Sequence, residues 1–322
     1  MKWKTRITEM LGIRYPIIQG AYAGFGTSKI AVPVSEAGGL GIITAGALKT
    51  PEALRKDIRR AKASTNKPIG VNLSVGICPQ IDEMREVAIE EGISVVETAA
   101  YKATDHGKRL KEAGVKWIHK VATVKHAIIA EKQGVDAVVI VGLEGVGFKS
   151  IDQLPTLTSI TWAAKKIKIP IIAAGGIGDA RSFLAALAMG AEGVYMGTAF
   201  MATKECPITM RHKQFLVDTA PDAPKLIKKV LTPPDPRQLG KVMKQKGKIP
   251  DDAWRTKLEM VLSKEDPEQE QSFESEEVLR VAPGSLAVSA IDKIVNVKDL
   301  INGILKGAEE ILNRDVFQML TR

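Results

Sequence analysis

Eight short apolar runs, each followed by a helical pattern, recur between residues 15 and 196, and this repetition limits the fold more than any other feature. The runs are "YPIIQ" (15–19), "LGIIT" (40–44), "IGVNL" (69–73), "ISVVET" (93–98), "VKWIH" (115–119), "VDAVVIV" (135–141), "IPIIAA" (169–174) and "EGVYM" (192–196). Near-continuous apolarity suits parallel strands covered on both faces. Thr50 followed by Pro51 reads as a helix start, with Leu54, Ile58 and Ala61 on one face. Asp179 caps a second helix with Phe183, Leu184 and Leu187 as its buried stripe, and Gly190 ends it. Strand starts recur at roughly 20–35 residues, the length of a βα unit. Eight is the number at which parallel strands close into a filled barrel, so an α/β class (β/α)8 TIM barrel is expected. The competing open sheet would need a dinucleotide fingerprint after its first strand, and "GAYAGFG" lacks one.

Beyond residue 205 the pattern changes. We expect residues 1–206 and 280–322 to form the barrel and the charged, proline-rich 207–279 to form a small helical cap. The segment "DKIVNVKDLINGILKGAEEIL" (292–312) is expected to be an amphipathic helix packed back on the barrel.

The chain carries a net charge of +9 with a sequence pI near 9.4. The excess lysine lies in 225–248, an acidic run follows at 265–277, and only 5% of residues are aromatic. No interleaved basic and aromatic platform for nucleic acid is present. The basic segment reads as a solvated lid or as a rim that attracts an anionic small molecule, including one linked to CoA or a carrier protein. Cys78 and Cys206 are the only cysteines and sit in no metal spacing, so no disulfide framework and no metal site are expected. "MKWKTRITEM" has no apolar h-region, and no stretch reaches the roughly 18 apolar residues of a membrane span. A reducing cytoplasm is the expected compartment; the oligomeric state is left open.

The chemistry is expected at the C-terminal strand ends. "AAGGIGDAR" follows strand 7 and "MGTAF" follows strand 8, which makes Gly175, Gly176, Gly197 and Thr198 the expected phosphate cradle. Gln19 and Gly20 lie at the rim of strand 1, and Asn72 on strand 3 offers an amide that donates and accepts. At the end of strand 5, alternation sends His119 and Lys120 to opposite faces, and one of them looks into the barrel mouth.

Taken in chain order, "PIIQGAYAG", "SEAGGLGIIT", "PIGVNLSV", "VVETA", "GVKWIHKVATVKHA", "GVDAVVIVGLEGVG", "IPIIAAGGIGDARSFLAALAMGAEGVYMGTAF" and "APGSLAVSAIDKI" resemble the nitronate monooxygenase family, formerly 2-nitropropane dioxygenases. Its relatives include FMN-type enoyl-acyl carrier protein reductases and NADH:quinone reductases. The resemblance is dense over residues 7–205 and loose over 280–312. It implies an FMN-binding barrel in which Gln19, Gly20, Asn72, Lys120, the Gly145–Gly147 turn, Gly175, Gly176, Gly197 and Thr198 contact FMN. Lys120 would then offset negative charge on the reduced ring system.

One departure stands out. The family's glycine-rich turn ends in Gly-His, and that histidine is its proposed base; aligning "GLEGVGF" puts Phe148 there. Phenylalanine takes no proton. Among substitutes, His106 in "YKATDHGKR" ranks first; the Tyr22 phenol could sit over the flavin but reads more readily as a rim aromatic, while Lys149 is expected to point to solvent and His126 to pack on a helix. The reading that follows is an FMN-dependent NAD(P)H:acceptor reductase, of quinone or enoyl type. The alternatives are a nitronate monooxygenase using O2 and a non-catalytic FMN-binding protein. A flavin-free barrel like IMP dehydrogenase is disfavoured, because "GLEGVGFKS" lacks the nucleophilic cysteine that group needs.

Overall fold

The computed structural model describes residues 2–22, 24–147, 149–263 and 284–314. All eight expected strands form: β1 (Ile17–Gln19), β2 (Gly41–Thr44), β3 (Ile69–Val75), β4 (Val95–Ala100), β5 (Lys116–Val121), β6 (Ala137–Val141), β7 (Ile171–Ala174) and β8 (Gly193–Met196). They pair in parallel in the order β1-β8-β7-β6-β5-β4-β3-β2, and a bridge between Ile18 and Leu40 joins the two ends. The result is a (β/α)8 barrel of the TIM type.

The helices up to the end of the barrel repeats are α1 (Arg6–Leu11), α2 (Ser28–Glu36), α3 (Ala45–Leu48), α4 (Pro51–Ser64), α5 (Ile81–Glu90), α6 (Thr104–Glu112), α7 (Val124–Lys132), α8 (Thr156–Ala163), α9 (Ala180–Ala188) and α10 (Thr198–Met201). Among the described residues α11 (Met210–Asp218), α12 (Pro224–Val230), α13 (Pro236–Met243) and α14 (Asp251–Ser263) follow, and then α15 (Val297–Leu312). None of the described helices is long and apolar enough to cross a membrane.

Two apolar layers organise the barrel. Inside it, Ile18, Ile42, Val95, Ile118, Val139 and Ile172 point towards the axis. Outside it, alternate strand residues such as Ile43, Val71, Val96, Trp117 and Val138 pack against the helices. Trp117 lies so close to α6 that any side chain at Gly107 would strike its ring. The lower opening is plugged by α1, whose Ile7 and Leu11, with Ile13, join the interior layer. A capping box at Thr5 starts that helix, and Arg6 pairs with Glu192 just before β8.

The expected helix starts form as read. Thr50 accepts the Ala53 N–H at 3.2 Å with Pro51 at the first helical position, and Asp179 accepts the Ser182 N–H at 2.8 Å. In α9, Phe183 and Ala186 are the fully buried positions, while Leu184 and Leu187 are half-buried at its edge. The terminal helix α15 packs on α9 and α2, as expected of the 292–312 segment. The α11–α14 segment has an apolar centre of Val242, Trp254 and Leu258. It reaches the barrel over β3 and β4: the Thr256 hydroxyl donates to the Gly76 carbonyl at 3.1 Å, and Tyr101 donates to the Arg255 carbonyl at 3.2 Å.

Candidate active site

Strand parity turns polar at the upper end of the barrel. Two residues above Val95 on β4 comes Glu97, two above Ile118 on β5 comes Lys120, and Asn72 on β3 and Tyr195 on β8 share this inward face. The four side chains form one cluster. Glu97 is only 1% exposed; its Oε2 accepts the Tyr195 hydroxyl at 2.8 Å and the Asn72 amide at 3.1 Å. Its Oε1 lies 3.5 Å from Lys120 Nζ and has no hydrogen-bond partner among the described residues. Lys120 also lies over the Tyr195 ring, 5.0 Å from its centroid. The Tyr195 oxygen in turn accepts the Ala21 N–H at 2.7 Å, which ties the loop after β1 to the cluster. Burial first, and then the neighbouring Glu97 charge, push the Tyr195 phenol well above its usual range, so it stays protonated.

His119, the other half of the β5 pair, faces outward. Thr98 Oγ accepts the Trp117 indole N–H at 2.7 Å and lies 2.8 Å from His119 Nδ1. The same hydroxyl donates to the Ile118 carbonyl at 3.4 Å. Burial lowers the His119 pKa to about 4.

Beside the polar cluster, the turns after β6, β7 and β8 converge. Gly175 and Gly176 take φ of 101° and 74°, left-handed values that a side chain adopts at a strain cost. Gly175 is also crowded: a Cβ there would come within 2.9 Å of Thr156 Oγ and 3.0 Å of the Gly142 carbonyl. At Gly197 the opposite holds, since a Cβ would meet nothing nearer than a Tyr22 ring carbon at 3.9 Å. Tight turns on one side and open backbone on the other make a surface that an anion can approach closely. Glu144 braces it from below, accepting the Thr156 N–H at 2.8 Å at the start of α8. The start of α9 is occupied by its own Asp179. The amides offered to an anion are therefore those of the glycine turns and of the short α10 rather than of α9.

A third wall comes from the tail. Gly284 turns at φ 79°, the Ser285 N–H donates to Thr198 Oγ at 3.0 Å, and the two hydroxyls lie 2.8 Å apart. The Leu286 N–H donates to the Glu144 carbonyl at 3.1 Å. Sequence reasoning did not find Glu97, Tyr195 or Ser285. A glutamate inside an apolar strand was the available signal for the first, since burying a charge is costly unless it is paired.

The sequence-predicted residues divide as follows. The structure gathers Asn72 and Lys120 in the polar cluster and Gly145, Gly175, Gly176, Gly197 and Thr198 in the adjoining turns. Gly147 follows in the same turn, with φ of 93°. Gly20 fits closely against β8, where a Cβ would lie 3.2 Å from the Gly197 Cα. Gln19 serves the barrel seam: it is fully buried, accepts the Ile42 N–H at 3.0 Å, and donates to the Gly20 carbonyl. It thus bridges β1 and β2 where backbone pairing is sparse. Tyr22 stacks on Phe25 and donates its hydroxyl to the Gly197 carbonyl at 2.8 Å. Burial, followed by nearby Cys206, raises its pKa well above the ordinary value, which suits a fixed donor and not a base.

His106 does not line the mouth. It sits in the first turn of α6, faces α5, and lies 3.0 Å from Arg85 and 3.6 Å from Asp82. Lys149, expected in solvent, is half-buried and donates to the Leu143 carbonyl at 2.6 Å and the Val230 carbonyl at 3.3 Å, linking the β6 turn to α12. Cys78 is buried with its pKa raised to about 12, so it is a neutral thiol. Phe148 lies outside the described residues. Among those residues, no cluster of potential metal ligands exists.

Residues 4–307 match the family model described as nitronate monooxygenase. Among curated proteins, the chain is 36% identical over 209 residues to the (3aS,4S,5R,7aS)-5-hydroxy-7a-methyl-1-oxo-octahydro-1H-indene-4-carboxyl-CoA dehydrogenase of Mycobacterium tuberculosis, covering 65% of this chain and 58% of that protein. The match thus spans less than two thirds of that relative's length. A probable nitronate monooxygenase of Staphylococcus aureus is 36% identical over 245 residues, or 63% of this chain and 69% of that one. Among solved structures, FabK from Thermotoga maritima superposes with a TM-score of 0.77 at 34% identity, covering 96% of this chain and 97% of the other. Nitroalkane oxidase from Streptomyces ansochromogenes shares the fold, with a TM-score of 0.74 at 22% identity over 94% of this chain and 98% of that one.

Proposed function

The chain belongs to the nitronate monooxygenase family, and from that premise we propose that it is an FMN-dependent oxidoreductase that passes electrons from NAD(P)H to a quinone- or enoyl-type acceptor. One observation weighs against a reaction that starts by deprotonating a neutral nitroalkane. The chain has four histidines, and none serves the mouth: His106 faces α5, His119 lies against Thr98, His126 is exposed on α7, and His212 is buried 2.6 Å from Thr209. Deprotonating a neutral nitroalkane needs a base within reach of its carbon. Accepting a hydride from a nicotinamide does not.

The residues present fit FMN. The glycine turns and the Thr198–Ser285 pair offer backbone and hydroxyl donors to a phosphate monoester, and the orphaned Glu97 Oε1 marks a polar floor beneath the mouth. FMN supplies two-electron hydride chemistry when bound. Gly175, Gly176, Gly197 and Thr198 would hold its phosphate. Lys120 would face its ring, held by Glu97 and the Tyr195 ring. Asn72 is locked at both ends, donating to Glu97 and accepting the Ser74 hydroxyl at 3.0 Å. It would help set the floor more than read the cofactor edge.

The cap suggests the substrate's carrier. Lys225, Lys228, Arg237, Lys241, Lys244, Lys246 and Lys248 are exposed on or beside α12 and α13. A field of this kind attracts polyanionic groups, and a CoA ester is the compound named for the mycobacterial relative. A CoA- or carrier-protein-linked enoyl compound is our preferred acceptor. The names of the staphylococcal relatives favour a second reading, oxidation of nitronates by O2. A nitronate is already the anion, so this reaction also needs no base.

Anaerobic mixing with NADH or NADPH decides between them. The reductase reading predicts that the flavin absorbance bleaches on the timescale of turnover and returns when an enoyl-CoA or quinone is added. Bleaching by a nitronate alone would move the assignment to nitronate oxidation. Bleaching by neither would leave a flavin-binding protein without turnover.

A further inference from the structure

Lys120 is the residue on which the flavin reading places its positive charge, yet the structure gives that charge a buried counter-charge 3.5 Å away. Glu97 is more deeply enclosed than Lys120, with side-chain exposures of 1% and 13%. Three strands hold the carboxylate. Tyr195 from β8 and Asn72 from β3 both donate to Oε2, while β4 carries the residue itself. Oε1 is left facing the Lys120 ammonium at 3.5 Å and accepts no hydrogen bond from any other described residue. A carboxylate fixed on one oxygen and open on the other aims its field at the ammonium group. Such a pair is nearly neutral from a distance, whereas either member alone is a full charge in a low-dielectric interior.

We propose that Glu97 is a positioning residue that anchors Lys120 beneath the mouth and cancels most of its charge, holding the reduction potential of the bound flavin below the value that Lys120 alone would impose. The sign follows from electrostatics. Reduction adds negative charge to the ring system, so a cation below it favours the reduced form and a neutral pair does so less. This inference rests on the FMN reading for its effect on potential, but the charge balance between Glu97 and Lys120 does not depend on FMN at all.

The experiment therefore has two arms. In the first, the midpoint potentials of FMN-loaded wild type, E97Q and the double variant E97Q/K120M are measured by anaerobic spectroelectrochemistry. E97Q keeps groups able to accept from Tyr195 and Asn72 while removing the charge. It is expected to favour the reduced flavin at least tenfold, which for a two-electron couple is about +30 mV. The double variant, with both charges gone, is expected to return to within about threefold of wild type, or roughly 15 mV. An E97Q potential that is unchanged or lower, or a double variant that stays raised, overturns the proposal.

The second arm uses apoprotein of K120M and of the double variant and does not need the E97Q single variant. Without Lys120 the stranded carboxylate is expected to take up a proton. An infrared carboxylic-acid C=O band should then be present in K120M and absent from wild type and from E97Q/K120M. A K120M spectrum without that band overturns the proposal. If the wild-type apoprotein does not bind FMN, the cofactor reading fails by itself, and the infrared arm still tests the charge pair.

Discussion

At the lower end of the barrel Ile7, Leu11 and Ile13 fill the opening with hydrocarbon, whereas at the upper end Asn72, Glu97, Lys120 and Tyr195 fill the same diameter with hydrogen bonds and charge. The lower plug gains free energy from every apolar atom it buries. The upper layer takes two ionisable groups out of water, and apolar residues of equal volume in such a place are often neutral or stabilising. One end is built for stability. The other accepts a cost in stability in exchange for a fixed field, in line with the division between the two faces of this fold.

That contrast can be broken most forcefully from below. Leu11→Ala leaves a cavity in the plug and should lower unfolding stability by about 2–5 kcal/mol in a denaturant titration. FMN binding per folded molecule should be unchanged; a large loss of FMN affinity would show that the two ends are coupled.

Acid probes the outer layer, away from both ends. His119 has a folded pKa of about 4, below its usual 6.5. Between those values the unfolded chain binds the extra proton, so stability falls as pH drops below about 6.5 and the loss is complete below about 4. The full effect is on the order of 3 kcal/mol. Chemical denaturation from pH 7.5 to 4 should show this slope, and His119→Gln should flatten it. A slope that survives the substitution would assign the acid sensitivity elsewhere.

At the upper end, Gly175→Ala forces a side chain into a φ of 101° and against Thr156. We expect a cost of about 1–3 kcal/mol in stability together with at least a tenfold loss of FMN affinity. The smallest effect is expected at the tail. Thr198→Val removes the acceptor of the Ser285 N–H, at about 1–3 kcal/mol if that group stays buried and unpaired. Thermal unfolding measured with and without FMN should show the Thr198 deficit growing in the presence of the ligand. An equal deficit in both conditions would make the tail contact purely structural.

These regions were not equally legible in the sequence. The barrel could be read because its strands are apolar on both faces and its helices begin with visible caps such as Thr50-Pro51 and Asp179. The glycine turn after β7 could be read because left-handed backbone favours that residue type, and Gly197 after β8 because a glycine leaves the backbone open to close approach. The polar layer could not, because which strand residues meet inside a barrel depends on register across three or more strands. Glu97, Lys120 and Tyr195 are brought together by that register and not by any local spacing. Ser285 meets Thr198 across 87 residues of sequence, beyond the reach of any motif. His106 misled for a local reason: it does lie just after β4, but α6 begins at Thr104, and the helical turn rotates the imidazole towards Arg85. Lys149 misled because the α12 carbonyl that receives it, at Val230, is distant in the chain.

The claim beneath all of this is that the turns after β7 and β8 hold the phosphate of FMN. Calorimetric titration of the apoprotein with FMN and with riboflavin tests it directly. Charge-assisted hydrogen bonds contribute about 1.5–3 kcal/mol each, so losing two of them should weaken riboflavin by at least about 100-fold. One equivalent of FMN bound, with riboflavin weaker by that margin, is the predicted result. No heat with FMN, or equal affinity for the two, would contradict it.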